Sequence, residues 1–459
     1  MHREESRVLI VVCLGTFFHI QSIGSISVSL AAIQKDFGTT LAAVQWIGLM
    51  GAIMLSSLSL CFGRAGDLVG RKTVFKTGLT LYTAGAGLAA ASGTFPQLLG
   101  SRCLMALGLA MAAPLAGAII ASVHAHENRG RALGLLAAST ALGRTTGPTV
   151  GGLILYLWGW RAVFLANCIF GAATCVVLFL VLKGKEERRQ GAFDLFGAAA
   201  LFVGFPSLLI ALSLGPRLGW DDAEILLWLG LAAAGLISFV WRELHFKAAL
   251  MSLFYFRNLA LARAMLSLVL ATLAFYPVSI FGPLYLLNVI QVSALSAGLV
   301  MGVLPLCTTM LAPLSGRLAD RLNPRWVAIL GLCLILVGVF FYGRLNPHTT
   351  LTSIIFVLAL LGTGIGLFVP ANEKVAFSTV PGRDYGMLSA MLQAFGVGSG
   401  ALGTTAAVAL TEISKKTRVG LDPVGFAYDQ QFAFSFLLPL AALAVVVTMV
   451  GKRKETAGQ

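Results

Sequence analysis

The chain has 459 residues, of which 58% are hydrophobic and only 11% charged, with a mean hydropathy of +0.87. A soluble globule needs a polar skin and has no means of hiding so much apolar surface, so a soluble domain is excluded and a polytopic α-helical membrane protein is expected. The net charge of +14 does not point to nucleic acid, because the Lys and Arg residues are scattered between apolar runs and form no basic face.

A helix crossing a hydrocarbon core of about 30 Å needs about 20 apolar residues. In chain order such runs occur at 8–33, 43–63, 73–92, 96–122, 131–156, 160–182, 194–214, 224–242, 260–288, 293–316, 325–343, 350–379, 384–411 and 431–450, which predicts 14 spans. The first follows Arg3 and Arg7. It is longer than a signal h-region and has no small-x-small cleavage site after it, so it reads as a span. All seven cysteines fall inside apolar runs and none forms a C-x-x-C, so they read as small packing residues, with no disulfide frame and no metal site.

With the N-terminus in the cytoplasm, 24 of the 33 Lys and Arg residues fall in inside segments and seven outside, while Arg102 and Arg144 lie within spans. That bias supports an even span number with both termini cytoplasmic. A repeat supports the same count. GRAGDLVGRK (Gly63–Lys72) follows span 2, and GRLADRLNPR (Gly316–Arg325) follows span 10, 253 residues later. A six-span half takes roughly 190 residues, and the excess matches the pair 194–242. The predicted architecture is therefore an all-α membrane fold with an N-terminal six-helix bundle in 1–190, two inserted transmembrane helices in 191–246 and a C-terminal six-helix bundle in 247–459. Parallel duplicated halves of this kind are typical of transporters that rock about a midplane site.

The loop motif resembles G-x-L-A-D-R-x-G-R-K of the drug:proton antiporters of the major facilitator superfamily, in their fourteen-helix branch. Gly63, Asp67, Gly70, Arg71 and Lys72 match, and Ala65 and Leu68 depart. Glycines permit a tight turn between helices, and the resemblance implies that Asp67 and Arg71 lock one conformation. Gly316, Asp320 and Arg321 are the second copy of that gate; a plain basic turn that sets topology is the alternative. Span 5 carries Gly134, Gly143, Gly147-Pro148 and Gly151-Gly152, which match the family's antiporter motif at every named position. Small residues let helices approach and Pro148 bends the span; the resemblance ties this motif to export, and generic helix packing is the alternative. GWRAVFLAN (Gly159–Asn167), FDLFGA (Phe193–Ala198), GPRLGW (Gly215–Trp220) and QAFGVGSGALG (Gln393–Gly403) are weaker matches that extend the resemblance along the chain in order.

Two departures bear on mechanism. The acidic residue common in span 1 of the family aligns with Ser22, and R-x-x-Q-G in span 4 keeps Arg102 but has Met105 and Ala106 in place of Gln and Gly. Charge inside a membrane costs about 2.5–3.5 kcal/mol on insertion scales, so embedded ionisable residues are functional candidates. Here they are His19, with Gln21 beside it, Arg102, Arg144, Glu373 and Lys374. Glu373 is the one clearly embedded carboxylate, able to load and release a proton if unpaired, or else to pair with Lys374, Arg144 or Arg102. His19 titrates near neutrality without help, or serves only as a polar contact between helices. The resemblance implies proton transfer for Arg102. Arg144 is expected to face the cavity and meet an anionic head group, or to pair with Glu373. Trp46, Trp158, Trp160 and Trp220 read as interface anchors. Phe275, Tyr276, Phe281 and Tyr285 lie around Pro277 and Pro283 in a span expected to bend, and face either a lipophilic substrate or lipid.

No G-x-x-x-x-G-K-[ST] loop, H-E-x-x-H or G-x-S-x-G occurs, so neither enzymatic chemistry, a cofactor nor a bound metal is expected. The sequence supports a multi-pass inner-membrane exporter of lipophilic or amphiphilic small molecules, with protons and membrane lipids as its other partners. The alternatives are a lipid or glycolipid flippase, or a uniporter or importer of an anionic amphiphile not coupled to protons. A non-transporting membrane sensor is disfavoured by the two motifs.

Overall fold

The computed structural model describes residues 3–123, 126–182, 194–246, 253–381, 385–416 and 423–450, and no strand occurs among them. Each predicted run lies in a helix: α1 (Arg3–Asp36), α2 (Leu41–Val69), α3 (Arg71–Ala90), α4 (Phe95–Ala112) with α5 (Leu115–Val123), α6 (His126–Trp158), α7 (Trp160–Val181), α8 (Leu195–Leu218), α9 (Ala223–His245), α10 (Leu259–Phe275) with α11 (Val278–Leu284), α12 (Ala294–Arg321), α13 (Pro324–Tyr342), α14 (Leu351–Phe377), α15 (Tyr385–Lys416) and α16 (Pro423–Met449). Among the described residues twelve helices, counting α4–α5 and α10–α11 as one each, are long and apolar enough to cross a membrane. α3 and α6 are not among them: α3 opens on Arg71, Lys72 and Lys76, and α6 on Glu127, Arg129 and Arg131.

Local chemistry sets the helix ends. Thr40, Asp222, Asn258, Ser293, Asn323 and Thr350 each cap a helix by accepting a backbone N–H, which satisfies donors that would otherwise be orphaned. Thr94 and Gln97 form a reciprocal capping box at α4. The run 96–122 is broken ahead of Pro114, and the run 260–288 at Tyr276-Pro277, after which Tyr285–Val289 winds as a π-helix. Proline removes a helical hydrogen bond and clashes with the preceding turn, so both breaks have a covalent cause.

The packing repeats. α1 lies against α6 and α7, α2 against α4, and α3 against α4 and α7; α10 lies against α15 and α16, α12 against α14, and α13 against α14 and α16. Glycines hold equivalent contacts in both groups. A Cβ on Gly78 would meet Gly108 O at 2.7 Å, and one on Gly331 would meet Gly364 O at 2.7 Å, so α3–α4 and α13–α14 touch backbone to backbone. The groups meet along α6–α12, α2–α15 and α1–α11. α8 and α9 pair with each other, and α8 lies on both α2 and α15, where Gln45 Nε2 donates to Ser213 Oγ over 3.0 Å.

Among the described residues the shared apolar core lies toward one end. One apolar core runs from Ile26–Ile33 of α1 through Ile280 and Phe281 into the C-terminal group. A separate core, built from Val8, Val12, Phe75, Leu115, Ile119 and Leu178, serves the N-terminal group near the face that carries both loop motifs. On that face the inner parts of α6 and α12 are exposed at Gly134, Ala137, Ala138 and Pro313. Among the described residues the two groups share their core opposite the loop motifs, and the facing parts of α6 and α12 are exposed beside them.

Candidate functional site

The seam that closes the far end is built from the span-5 motif. Cβ atoms on Gly143 and Gly147 would come within 2.7 Å of Phe17 O and 2.6 Å of Gln21 O, so these glycines seat α1 on α6. Ser25 Oγ donates to Gly147 O over 3.0 Å. Gly152, on a neighbouring face, meets α12 instead: a Cβ there would lie 2.6 Å from Ala294 O and 3.0 Å from Gly298 Cα. In the second half Gly400 and Gly403 of QAFGVGSGALG press on Tyr276 and Leu273 in the same manner.

Arg144 sits inside that motif. At about 100° per residue it lies opposite the exposed Leu135, Leu142 and Leu153, between the sides of α6 that meet α1 and α12. Its exposure is therefore to the gap between the groups rather than to lipid. It lies near Tyr276 of the α10–α11 break and near Glu373 of α14. Among the described residues neither Arg144 nor Glu373 forms an ion pair or a hydrogen bond. Beside Glu373, Asn372 is tied down: Nδ2 donates to Ala264 O over 3.0 Å, and Oδ1 accepts from Ser267 Oγ over 3.2 Å. This fixes the face of α14 that carries the carboxylate.

Lys374 does not join Glu373. Its Nζ lies 2.5 Å from Asp320 Oδ1 and 2.7 Å from Ala319 O, at the end of α12. It thus belongs to the second loop motif. In the first motif Gly70 turns the chain from α2 to α3 at φ +122°, a conformation that favours glycine, and Arg71 donates to Ala118 O over 3.5 Å. The side chain of Asp67 lies outside the described residues. Gly63 and Gly316 sit on loosely packed helix ends, and Arg321 is exposed.

His19, Ser22, Tyr82 and Arg102 form a second polar cluster, inside the N-terminal group. The His19 ring stacks on Tyr82 with centroids 4.9 Å apart. Tyr82 Oη donates to Ser22 Oγ, which donates to His19 O over 3.0 Å. Arg102 is buried; its Nε donates to Ile47 O over 3.1 Å and its Nη1 to Met105 Sδ over 3.4 Å. It has no carboxylate partner among the described residues. Met105, a departure from the family pattern, is thus a ligand of this arginine. His19 faces a cavity of about 10 Å³ lined by Phe18, Tyr82, Asn167 and Thr174, room for about one water, and its Nε2 is buried without a partner. Gln21 points elsewhere, bonding Ser25 Oγ over 3.0 Å, so His19 and Gln21 do not share a cavity.

Tyr82 and the pairing of Asp194 with Arg242 carried no sequence signal, since a lone tyrosine in an apolar run and an arginine 48 residues from a carboxylate have no diagnostic spacing. Asp194, in FDLFGA, caps α8 by accepting from Gly197 N and binds Arg242 Nε at 3.1 Å. Of the aromatics in the bent span, Phe281 is buried against Phe434, and Tyr285 donates to Asn346 O over 2.7 Å; neither faces lipid or the gap. Trp160 is likewise no free anchor: it is buried, and its Nε1 donates to Asp36 Oδ2 over 3.1 Å.

The sequence profile of the Major Facilitator Superfamily matches residues 12–281 and again 264–459. The chain is 28% identical over 398 residues to the Multidrug resistance protein Stp of Mycobacterium tuberculosis (strain CDC 1551 / Oshkosh), covering 86% of this chain and 73% of that protein. It is 25% identical over 444 residues to the Lincomycin resistance protein LmrB of Listeria monocytogenes serovar 1/2a, covering 95% of this chain and 94% of that protein. Among solved structures, that of an auto inhibited POT family peptide transporter superposes with a TM-score of 0.72 at 18% identity, covering 98% of this chain and 99% of that chain.

Proposed function

The chain belongs to the Major Facilitator Superfamily and is a multi-pass membrane transporter rather than an enzyme, and from that premise we propose that it exports lipophilic or amphiphilic small molecules by proton antiport with alternating access. One observation carries this reading: among the described residues the two helical groups share their core toward one end, and Arg144 and Glu373, one from each group, stand without ion-pair partners. Embedded charge is costly, and a buried carboxylate without an ion-pair partner can load and release a proton. Protonated Glu373 leaves Arg144 uncompensated, and deprotonated Glu373 offers it a counter-charge; an anionic or polar substrate group that engages Arg144 would compete with that carboxylate, the coupling that antiport needs.

In this reading α3 and α6 also cross the bilayer, completing fourteen spans, because each is packed along its length between helices that do. Residues 1–190 and 247–459 are the two moving bundles, and 191–246 the inserted pair. The loop-motif face and both termini are cytoplasmic, in the inner membrane. Gly63, Asp67, Gly70, Arg71 and Lys72, with Gly316, Asp320, Arg321 and Lys374, form the cytoplasmic gate. Gly143, Gly147 and Pro148 shape the seam. His19, Gln21 and Arg102 act from within the N-terminal bundle, away from the gap.

The test is uptake of a lipophilic dye into inverted vesicles. It should collapse with a protonophore and fail in Glu373→Gln. Uptake indifferent to the proton gradient yet lost in Arg144→Ala favours a second reading, movement of an anionic amphiphile such as a lipid. Ser22 at the position of the family's span-1 acid, with Arg102 lacking a carboxylate partner among the described residues, is what supports that alternative.

A further inference from the structure

We propose that the inserted pair α8–α9 seals the flank between α2 and α15, so that a lipophilic molecule dissolved in the bilayer reaches the gap between the two groups only on the opposite flank, beside α6 and α12. The proposal rests on the export reading and gives its substrate a route of entry.

The groups meet along α6–α12, α2–α15 and α1–α11. α1 touches both α6 and α2, so it stands between the other two seams and sets them on separate flanks. The two flanks are not alike. α8 packs on both α2 and α15, whereas neither α8 nor α9 packs on α6 or α12.

The cover is fitted to its seam. On α8 the positions Ala198, Leu201, Phe205 and Leu209 recur every three or four residues and pack inward, while Phe202 and Val203 between them are exposed. That is the pattern of a helix with one packed face and one outer face. Phe205 stands over the crossing point of the groups: a Cβ on Gly398 of α15 would lie 3.4 Å from Phe205 Cζ and 3.4 Å from Ser56 Cβ of α2. Leu209 closes the same place with Leu49 and Ile53 of α2 and Ala401 of α15.

The cover also follows α2 along its length. At one end Gln45 Nε2 donates to Ser213 Oγ over 3.0 Å. At the other, Asp194 and Glu243 lie near Cys61, two residues before the first loop motif. Gln45 and Cys61 are 16 residues apart, about 24 Å of helix, which is most of a hydrocarbon core of about 30 Å. On the loop-motif half, Ala200 and Leu201 of α8 and Phe239 of α9 join the core shared by both groups.

The other flank carries an apolar rim instead. Leu135 and Leu142 of α6 and Met310 and Leu314 of α12 are all exposed. Past that rim stands Arg144, without an ion-pair partner among the described residues. Apolar walls with one well-placed polar group suit an amphiphile: its tail slides along the rim, and its polar or anionic end meets the guanidinium.

The experiment uses the full-length chain in vesicles that contain a phenyl-trifluoromethyl-diazirine, a small lipophilic carbene precursor that partitions into the bilayer. Photolysis followed by mass spectrometry locates the adducts. Ala138 and Pro313 should label at least fivefold more than Ser56 and Gly398, and in Phe205→Ala/Leu209→Ala the last two should rise to the level of the first two. The wild-type pattern decides the matter even where that variant fails to fold. Equal labelling of both flanks overturns the seal, and labelling of neither overturns entry from the bilayer. Protonophore-sensitive uptake of a lipophilic dye is measured in the same vesicles. Excess dye should lower labelling at Ala138 and Pro313 at least threefold and leave Ile237, on the outer face of α9, unchanged; no protection by a dye that is taken up overturns the route. Equal labelling with uptake intact overturns the seal and leaves export standing. One-sided labelling without uptake supports the seal and overturns export.

Discussion

The Lys374 ammonium reaches across from α14 to the Asp320 carboxylate at 2.5 Å, and to the Ala319 carbonyl at 2.7 Å. A cation at the C-terminal end of α12 is favourable to the helix dipole and satisfies a carbonyl that has no helical donor. The two side chains are 41% and 72% exposed, and pairs so open to solvent contribute about 0.2–1 kcal/mol. Lys374→Ala should therefore lower stability by less than about 1 kcal/mol, and the Asp320→Ala/Lys374→Ala double variant by hardly more. A partner of embedded Glu373 would behave otherwise, because stripping a buried charge of its counter-ion costs about 3–5 kcal/mol. Thermal unfolding in detergent separates these outcomes.

The Asp194–Arg242 pair should prove far more costly to break. The Asp194 side chain is fully buried, its Oδ1 accepts from both Gly197 N and Arg242 Nε, and Arg242 also covers the Phe246 ring at 3.7 Å. Arg242→Met leaves a buried carboxylate without its cation and should cost about 3–5 kcal/mol. The Asp194→Ala/Arg242→Met double variant should recover part of that loss. A double-mutant cycle by thermal unfolding measures the coupling, and a coupling near zero refutes the assignment.

These two pairs mark where sequence reading stops. The helices were legible because apolar runs are long and proline and capping residues punctuate them. The repeat was legible because its two loops share G-R-x-x-D. What chain order does not carry is which side of a helix faces which neighbour. Lys374 follows Glu373 directly, yet successive helical residues lie about 100° apart, so one faces Asp320 and the other the gap. His19 and Gln21 separate for the same reason. The glycines of span 5 were visible as a motif, but their division between α1 (Gly143, Gly147) and α12 (Gly152) depends on a packing partner far along the chain.

That division predicts opposite outcomes for glycine substitutions. Gly147→Val forces a side chain toward Gln21 O, 2.6 Å from its Cβ, and toward Gly24 Cα at 3.1 Å; both are backbone and have no room to move. A loss above about 3 kcal/mol is expected, beyond usual overpacking because helix backbones must separate. Gly100→Ala in α4 meets nothing within 4 Å and should stabilise by about 0.5–1 kcal/mol through helix propensity alone. Paired melting curves decide both.

Ser22 offers the sharpest probe of the cluster around Arg102. Its hydroxyl is buried, accepts from Tyr82 Oη and donates to His19 O. Ser22→Ala strands the tyrosine hydroxyl, and a buried unsatisfied donor costs about 1–3 kcal/mol. Ser22→Asp returns a carboxylate to the position where the resemblance expects one. It can accept from Tyr82 and supplies the counter-charge that Arg102 lacks among the described residues, so its stability should stay within about 2 kcal/mol of wild type, the gain in pairing offsetting desolvation. Removing the arginine reverses the result. In Arg102→Leu the serine is harmless, but Asp at position 22 becomes a buried charge with no partner, and Ser22→Asp should then cost about 3–5 kcal/mol. Melting temperatures of the four combinations measure the interaction. If Ser22→Asp is equally costly with and without Arg102, the guanidinium does not govern this pocket.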